Sequence, residues 1–178
     1  MSAIDDTLLV AATEPELCGR PGLVCGVGPV EAAAATAHAL AERLPAAVLH
    51  VGIAGGRSID PPALVIGSEA VYEDLGTELA PSRALPDTGL LDAARRALPE
   101  ALVLPIGTTG RVGGTNDAEV EAMEGFAVLR ACALAGVPAI EVRAVSNRIS
   151  DDRGDWRVDD ALLALSEALP RLLAALTV

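Results

Sequence analysis

The sequence predicts an α/β fold: one domain with a mixed, mostly parallel twisted sheet flanked by helices. Three observations carry that prediction. Short, continuously apolar runs alternate with longer helical segments. Glycine-rich stretches follow several of the apolar runs, where the strands of such sheets deliver their ligand-binding loops. Finally, 178 residues, 51% of them hydrophobic, fit a single core, and no linker, repeat or low-complexity tract divides residues 1–178.

In order along the chain, residues 7–12 (TLLVAA) read as a buried strand ended by the polar TEPE. Residues 23–26 read as a second short strand. Gly28 and Pro29 then punctuate, and the Ala-rich segment 30–44 has good helix propensity up to Pro45. Residues 47–51 form a strand running into Gly52, Gly55 and Gly56. Residues 63–72 begin apolar and then partly alternate, as in a longer strand with one exposed end. A turn-rich loop is expected over 73–86 and a short helix over 89–98. Residues 102–108 read as a strand broken by Pro105. Residues 117–135 give the strongest helix pattern, with Asp117 able to cap it and Gly136 and Pro138 ending it. A strand over 139–146, a polar loop over 150–155 and an amphipathic helix over 158–176, kinked at Pro170, complete the chain.

Composition excludes several classes of partner. Lys+Arg is 13 and Asp+Glu is 25, a net charge of −12, and the chain has no lysine. Its aromatics are Tyr72, Phe126 and Trp156. Neither the charge nor the aromatic content suits nucleic acid. No apolar run is long enough for a membrane span, and residues 1–6 lack the basic start of a signal peptide. Cys18, Cys25 and Cys132 are odd in number and match no metal or redox spacing, which fits a reduced, cytoplasmic compartment.

Familiar motifs are mostly missing. Gly26-Val27-Gly28 joins a strand to a helix, but Glu31 stands where a dinucleotide fingerprint needs a small residue. A tight strand-to-helix turn is the plainer reading. No P-loop, GxSxG elbow or HExxH is present, and His38 and His50 read as structural. No metal and no organic cofactor is therefore expected. The carboxylates are more informative. Glu14 and Glu16 follow the first strand, either as a solvated loop or as reactive groups. Glu124 flanks the helical face made by positions 120, 123, 127 and 128, where it is either a surface acid or needs a partner or ligand. Asn147 follows a buried strand directly. It either caps the turn or offers a donor and an acceptor side by side.

Four segments carry a resemblance: Ala11-Ala12-Thr13-Glu14-Pro15-Glu16, Val51-Gly52-Ile53-Ala54-Gly55-Gly56, Val120-Glu121-Ala122-Met123-Glu124-Gly125 and Val142-Arg143-Ala144-Val145-Ser146-Asn147. In this order, each after a strand, they resemble the purine nucleoside phosphorylase/nucleosidase superfamily, and within it the futalosine hydrolases. The resemblance implies hydrolysis of the N-glycosidic bond of futalosine to hypoxanthine and dehypoxanthine futalosine, a step of menaquinone biosynthesis. It implies a small-molecule nucleoside as partner and a homo-oligomer. It also implies roles. Glu16 matches the acid that activates water, Glu124 the carboxylate that grips the ribose beside Met123, and Asn147 the residue facing purine N7. Ile53, Ala54 and Gly55 match a loop near the sugar and nucleophile. Thr109 and Gly110 are expected to approach the base through backbone, and Phe126 to flank it; Trp156 is expected to anchor the last helix.

Two departures from the superfamily pattern bear on the reaction. Relatives that release adenine carry aspartate where Asn147 stands, and an asparagine suits a 6-oxopurine better because its amide can meet N7 and the 6-oxo group. Ile53 stands where relatives commonly have serine, and residues 13–17 contain no cation. Both features favour water over phosphate as nucleophile. The alternatives are a methylthioadenosine/adenosylhomocysteine nucleosidase, a purine nucleoside phosphorylase, a non-catalytic nucleoside-binding module and a Rossmann dehydrogenase. The carboxylate at the benzoate end of futalosine would need a cation, with Arg57, Arg111 and Arg148 as candidates.

Overall fold

The computed structural model describes residues 6–115 and 117–176; the expectation for the first residues of the chain lies largely outside them. Five of the eight strand pairings are parallel. The strands are β1 (Thr7–Ala11), β2 (Leu23–Val24), β3 (Ala47–Gly56), β4 (Leu64–Tyr72), β5 (Arg83–Ala84), β6 (Leu102–Thr108), β7 (Val120–Ala122) and β8 (Ala139–Arg148). The α-helices are α1 (Pro29–Glu42), α2 (Thr88–Ala97), α3 (Gly125–Ala135) and α4 (Val158–Ala175). None of them is long and apolar enough to cross a membrane.

Side-chain alternation along the strands feeds two separate layers of core. Leu9 and Ala11 of β1, Leu49 and Val51 of β3, and Ile140 and Val142 of β8 pack with α2 and α4. Val10, Val48 and Ala139, one step out of phase, pack with α1 and α3. That is the period-two pattern of strands buried on both faces.

The sheet does more than twist. β3 pairs with β8, β8 with β4, β4 with β6, β6 with β7, and β7 returns to the far end of β3. Five strands thus close into a ring, and Ala54, Val65, Ile106, Val120 and Val145 fill it as a third cluster. β1 and β2 extend the sheet from the near end of β3.

Several expected elements need correction. The helix expected over 117–135 is divided. Residues Val120–Ala122 form β7, and the helix starts only at Gly125, after Glu124. Ladder bonds to β3 and β6 outweigh local helix propensity here. Asp117 therefore caps nothing; the expected stop holds, since Gly136 takes the left-handed conformation at φ 71°. Residues 52–56 are not a loop but the second half of β3. Pro105 does not break β6. The facing strand β4 shifts register between Gly67 and Glu69, a bulge that accommodates a residue with no N–H to donate. The loop over 73–86 holds the two-residue β5 against β4. Pro170 lies inside α4, as expected, and the helix continues past it to Ala175.

Candidate active site

A cavity of about 320 Å³ opens where β1, β3, β7 and β8 end together. Glu16, Ile53, Ala54, Gly55, Met123, Glu124 and Asn147 all line it. Of the residues expected around the substrate, Thr109, Gly110 and Phe126 stand outside the lining. Phe126 is buried, its ring stacked on Tyr72 at 5.2 Å. Thr109 and Gly110 turn toward their own loop. The Thr109 hydroxyl donates to the Arg111 carbonyl at 2.7 Å, and the Gly110 N–H to Asp74 Oδ2 at 2.5 Å.

Glu16 comes from a short 3-10 turn, Glu14–Leu17, that follows β1. Its Oε2 accepts from the backbone N–H and the hydroxyl of Thr13, at 2.9 and 2.7 Å. Its Oε1 accepts from the Ile53 N–H at 2.9 Å. The turn thus aims the side chain across to β3 and leaves a lone pair of Oε1 toward the cavity. Close approach also requires Gly52. A Cβ there would lie 2.2 Å from Arg143 Nη1 and 2.7 Å from Glu16 Oε1.

Glu124 sits at the corner between β7 and α3 and is 4% exposed. Its Oε1 accepts from the Gly28 N–H at 3.1 Å, and its Oε2 pairs with Arg143 Nη2 at 3.2 Å. The Gly26-Val27-Gly28 turn, examined in the sequence as a nucleotide loop, therefore presents an N–H to a carboxylate. Asn147 follows a bulge between Ala54 and Gly55 of β3 that brings both Ser146 and Asn147 to the cavity wall. Its Oδ1 accepts from the Ser146 hydroxyl at 2.8 Å and its Nδ2 donates to the Arg148 carbonyl at 2.9 Å. One amide hydrogen and one oxygen lone pair stay available.

Sequence reasoning missed the group beneath these residues. Arg143 is 1% exposed and bonds Glu141 through Nε at 2.8 Å, while His50 Nε2 lies 2.5 Å from its Nη2. His50 and Glu141 are register partners on β3 and β8, and Gly52 and Arg143 are the next such pair. Burial, reinforced by Arg143, holds the His50 imidazole well below its ordinary value. Burial pushes the Glu141 carboxyl up, against the pull of Arg143. For Arg143 burial acts downward, but Glu141, Glu124 and Glu16 outweigh it and the guanidinium stays charged. The signal was present in Ala139-Ile140-Glu141-Val142-Arg143: two charges at alternate positions of a strand whose other face is apolar.

Glu121, also in the lining, accepts from the Gly113 and Thr115 N–H groups at 2.5 and 2.6 Å and ties down the segment carrying Val112. Trp156, expected to anchor α4, lines the cavity, with Arg153 5.4 Å over its ring. Arg153 is the one arginine among the described residues that lines it. Arg148 pairs instead with Asp60 at 2.5 Å, and Arg57 bonds the Ala118 carbonyl.

Residues 18–116 match the phosphorylase superfamily. Futalosine hydrolase of Streptomyces coelicolor is 36% identical, the match covering 86% of this chain and 78% of that one. Futalosine hydrolase of Thermus thermophilus is 35% identical, over 85% and 80% of the two chains. The native structure of futalosine hydrolase of Helicobacter pylori superposes with a TM-score of 0.84 at 14% identity, covering 98% and 100%. A methylthioadenosine/adenosylhomocysteine nucleosidase from Colwellia psychrerythraea, in complex with adenine, also gives 0.84, at 20% identity and 96% and 95% coverage. These last two likenesses concern the fold.

Proposed function

The chain belongs to the futalosine hydrolases of the phosphorylase superfamily, and from that premise we propose that it hydrolyses the N-glycosidic bond of futalosine, releasing hypoxanthine and dehypoxanthine futalosine. The observation that carries this reading is a pair of buried carboxylates, Glu16 and Glu124, facing one cavity that Asn147 also lines.

Glycoside cleavage passes through an oxocarbenium-like sugar. Glu124, held at both oxygens, grips the ribose hydroxyls and stabilises that positive charge. Glu16 takes a proton from water through Oε1, which keeps an acceptor position beside the Ile53 N–H. The leaving purine is electron-rich, and the remaining Asn147 amide hydrogen donates to N7. The alkyl side chain of Ile53 and the carboxylate of Glu16 make this end of the cavity unwelcoming to phosphate, so water is the nucleophile.

At the outer end, Trp156 and Arg153 suit the benzoate of the 5′ substituent, an aryl group bearing a carboxylate. Thr109, Gly110 and Phe126 act at one remove, through the loop and core that frame the cavity. The protein acts in the cytoplasm as a homo-oligomer whose every copy is one unit over residues 1–178.

Base release read by chromatography tests the reaction. With futalosine and no phosphate, hypoxanthine should appear, and methylthioadenosine should be cleaved far more slowly. Adenine release exceeding hypoxanthine release, or a requirement for phosphate, overturns the proposal.

A further inference from the structure

The buried corner beneath α3 holds two carboxylates and a single guanidinium. Arg143 donates to Glu141 through Nε and to Glu124 through Nη2. His50 adds no charge. Its Nδ1 lies 3.1 Å from the Val10 carbonyl and must carry a hydrogen there, which leaves Nε2 as the acceptor for Arg143. With both carboxylates ionised, one negative charge is left over between Glu141 and Glu124.

The two carboxylates are placed differently. Glu124 lines the cavity, whereas Glu141 is fully buried and outside the lining. Glu141 Oε2 has no hydrogen-bond partner among the described residues. The side chain fits only because Gly125 lacks one; a Cβ there would lie 2.1 Å from Oε2. A fully buried carboxylate with a spare oxygen is an expensive way to fill space, since an apolar side chain would pack without desolvating a charge. Burial pushes this carboxyl up, and the direct pairing with Arg143 Nε is what draws it back toward the ionised form.

We propose that Glu141 is a positioning residue that neutralises Arg143, so that Arg143 orients Glu124 without quenching the charge Glu124 presents to the sugar. The proposal rests on the nucleosidase reading above. Without Glu141, Glu124 would be the one carboxylate in direct contact with the guanidinium, with Glu16 acting on it at longer range, and the Arg143–Glu124 pair would meet the substrate nearly neutral. With it, the excess negative charge faces the cavity, where a cation develops as the bond to the base breaks. Effects of this kind are large where water is excluded.

Glu141→Gln tests this, because the amide keeps the shape and still accepts from Arg143 Nε. Futalosine turnover would be measured with the affinity of two ribose mimics, a neutral C-nucleoside and its counterpart with a protonated pyrrolidine ring. A loss of about tenfold in kcat is expected, with KM within about twofold and the cationic mimic weakened about tenfold relative to the neutral one. An unchanged kcat and an unchanged preference for the cation overturn the proposal. If the glutamine variant does not fold, Glu141→Asp keeps the charge on a shorter arm. A preference within about twofold of the parent then supports the proposal, and a lost one overturns it. A parent protein that releases no base from any nucleoside overturns the nucleosidase reading instead, and this inference falls with it.

Discussion

At the inner end of the cavity, Glu16 and Glu124 are 6% and 4% exposed, and each is held at both carboxylate oxygens. At the outer end, Arg153 is exposed and lies over the Trp156 ring, while Val27 and Val112 are more than half exposed. The inner groups are fixed by backbone N–H donors from β3 and the Gly28 turn, and by a guanidinium locked between strands. Arg153 and Val112 ride on the connection before α4 and on the segment after β6, and Val27 points out from the same turn that supplies the Gly28 N–H. Groups that act on a transition state gain from being held in place before the substrate arrives. Groups that admit a bulky substituent do not need that precision. The contrast predicts that inner substitutions act on kcat and outer ones on KM.

The strongest test removes an inner charge. Glu124→Gln should lower kcat by about 10²–10³-fold while the circular dichroism spectrum is retained; a loss confined to KM would break the comparison. Glu16→Gln should behave likewise. Next in size is Gly52→Ala. Its Cβ would collide with Arg143 and Glu16, so chemical denaturation should show a loss of about 1–3 kcal/mol together with a fall in kcat. A fully active, fully stable alanine variant would mean that the inner end is less rigid than its contacts indicate. Arg153→Ala should raise KM for futalosine about tenfold and leave kcat within about twofold, the cost of one exposed charged contact. A nucleoside without the carboxylate should not notice the change.

The smallest effect concerns pH. His50 is held well below the ordinary imidazole value, so below about pH 6.5 the unfolded chain binds a proton that the folded chain refuses. Stability should therefore fall as pH drops through that window, by at most about 1.4 kcal/mol per pH unit. Denaturation midpoints of the parent and of His50→Gln, compared between pH 7 and 5, should diverge accordingly. Parallel curves would place a proton on His50 in the folded state and sink the tautomer assigned to it.

The contrast also explains what could be read in advance. β1 was legible as a continuous apolar run, and β3 and β8 as short, mostly apolar segments between turn signals, and an α/β sheet follows from their alternation with helices. The ring closure was not, because β7 is three residues long and exists only through its ladder partners. Local pattern reads 117–135 as one helix, and the ladder partners that divide it are distant in sequence. Glu16, Glu124 and Asn147 stood out as polar residues directly after strands. His50, Glu141 and Arg143 did not, since their meaning lies in cross-strand register. Trp156 was read from its neighbours in the chain as an anchor, whereas its placement on the cavity wall depends on where α4 packs.

The five-stranded ring has one more consequence. A closed circuit of strands offers no free ladder, so among the described residues the sheet ends at β2 and β5, each two residues long. Short edges of this kind give a foreign strand little to add to. The weakest pairing in the sheet thus lies at these two ends, where each strand is held by one ladder of two residue pairs. The sheet's failure mode under stress should be loss of β1 and β2, with the ring opening last.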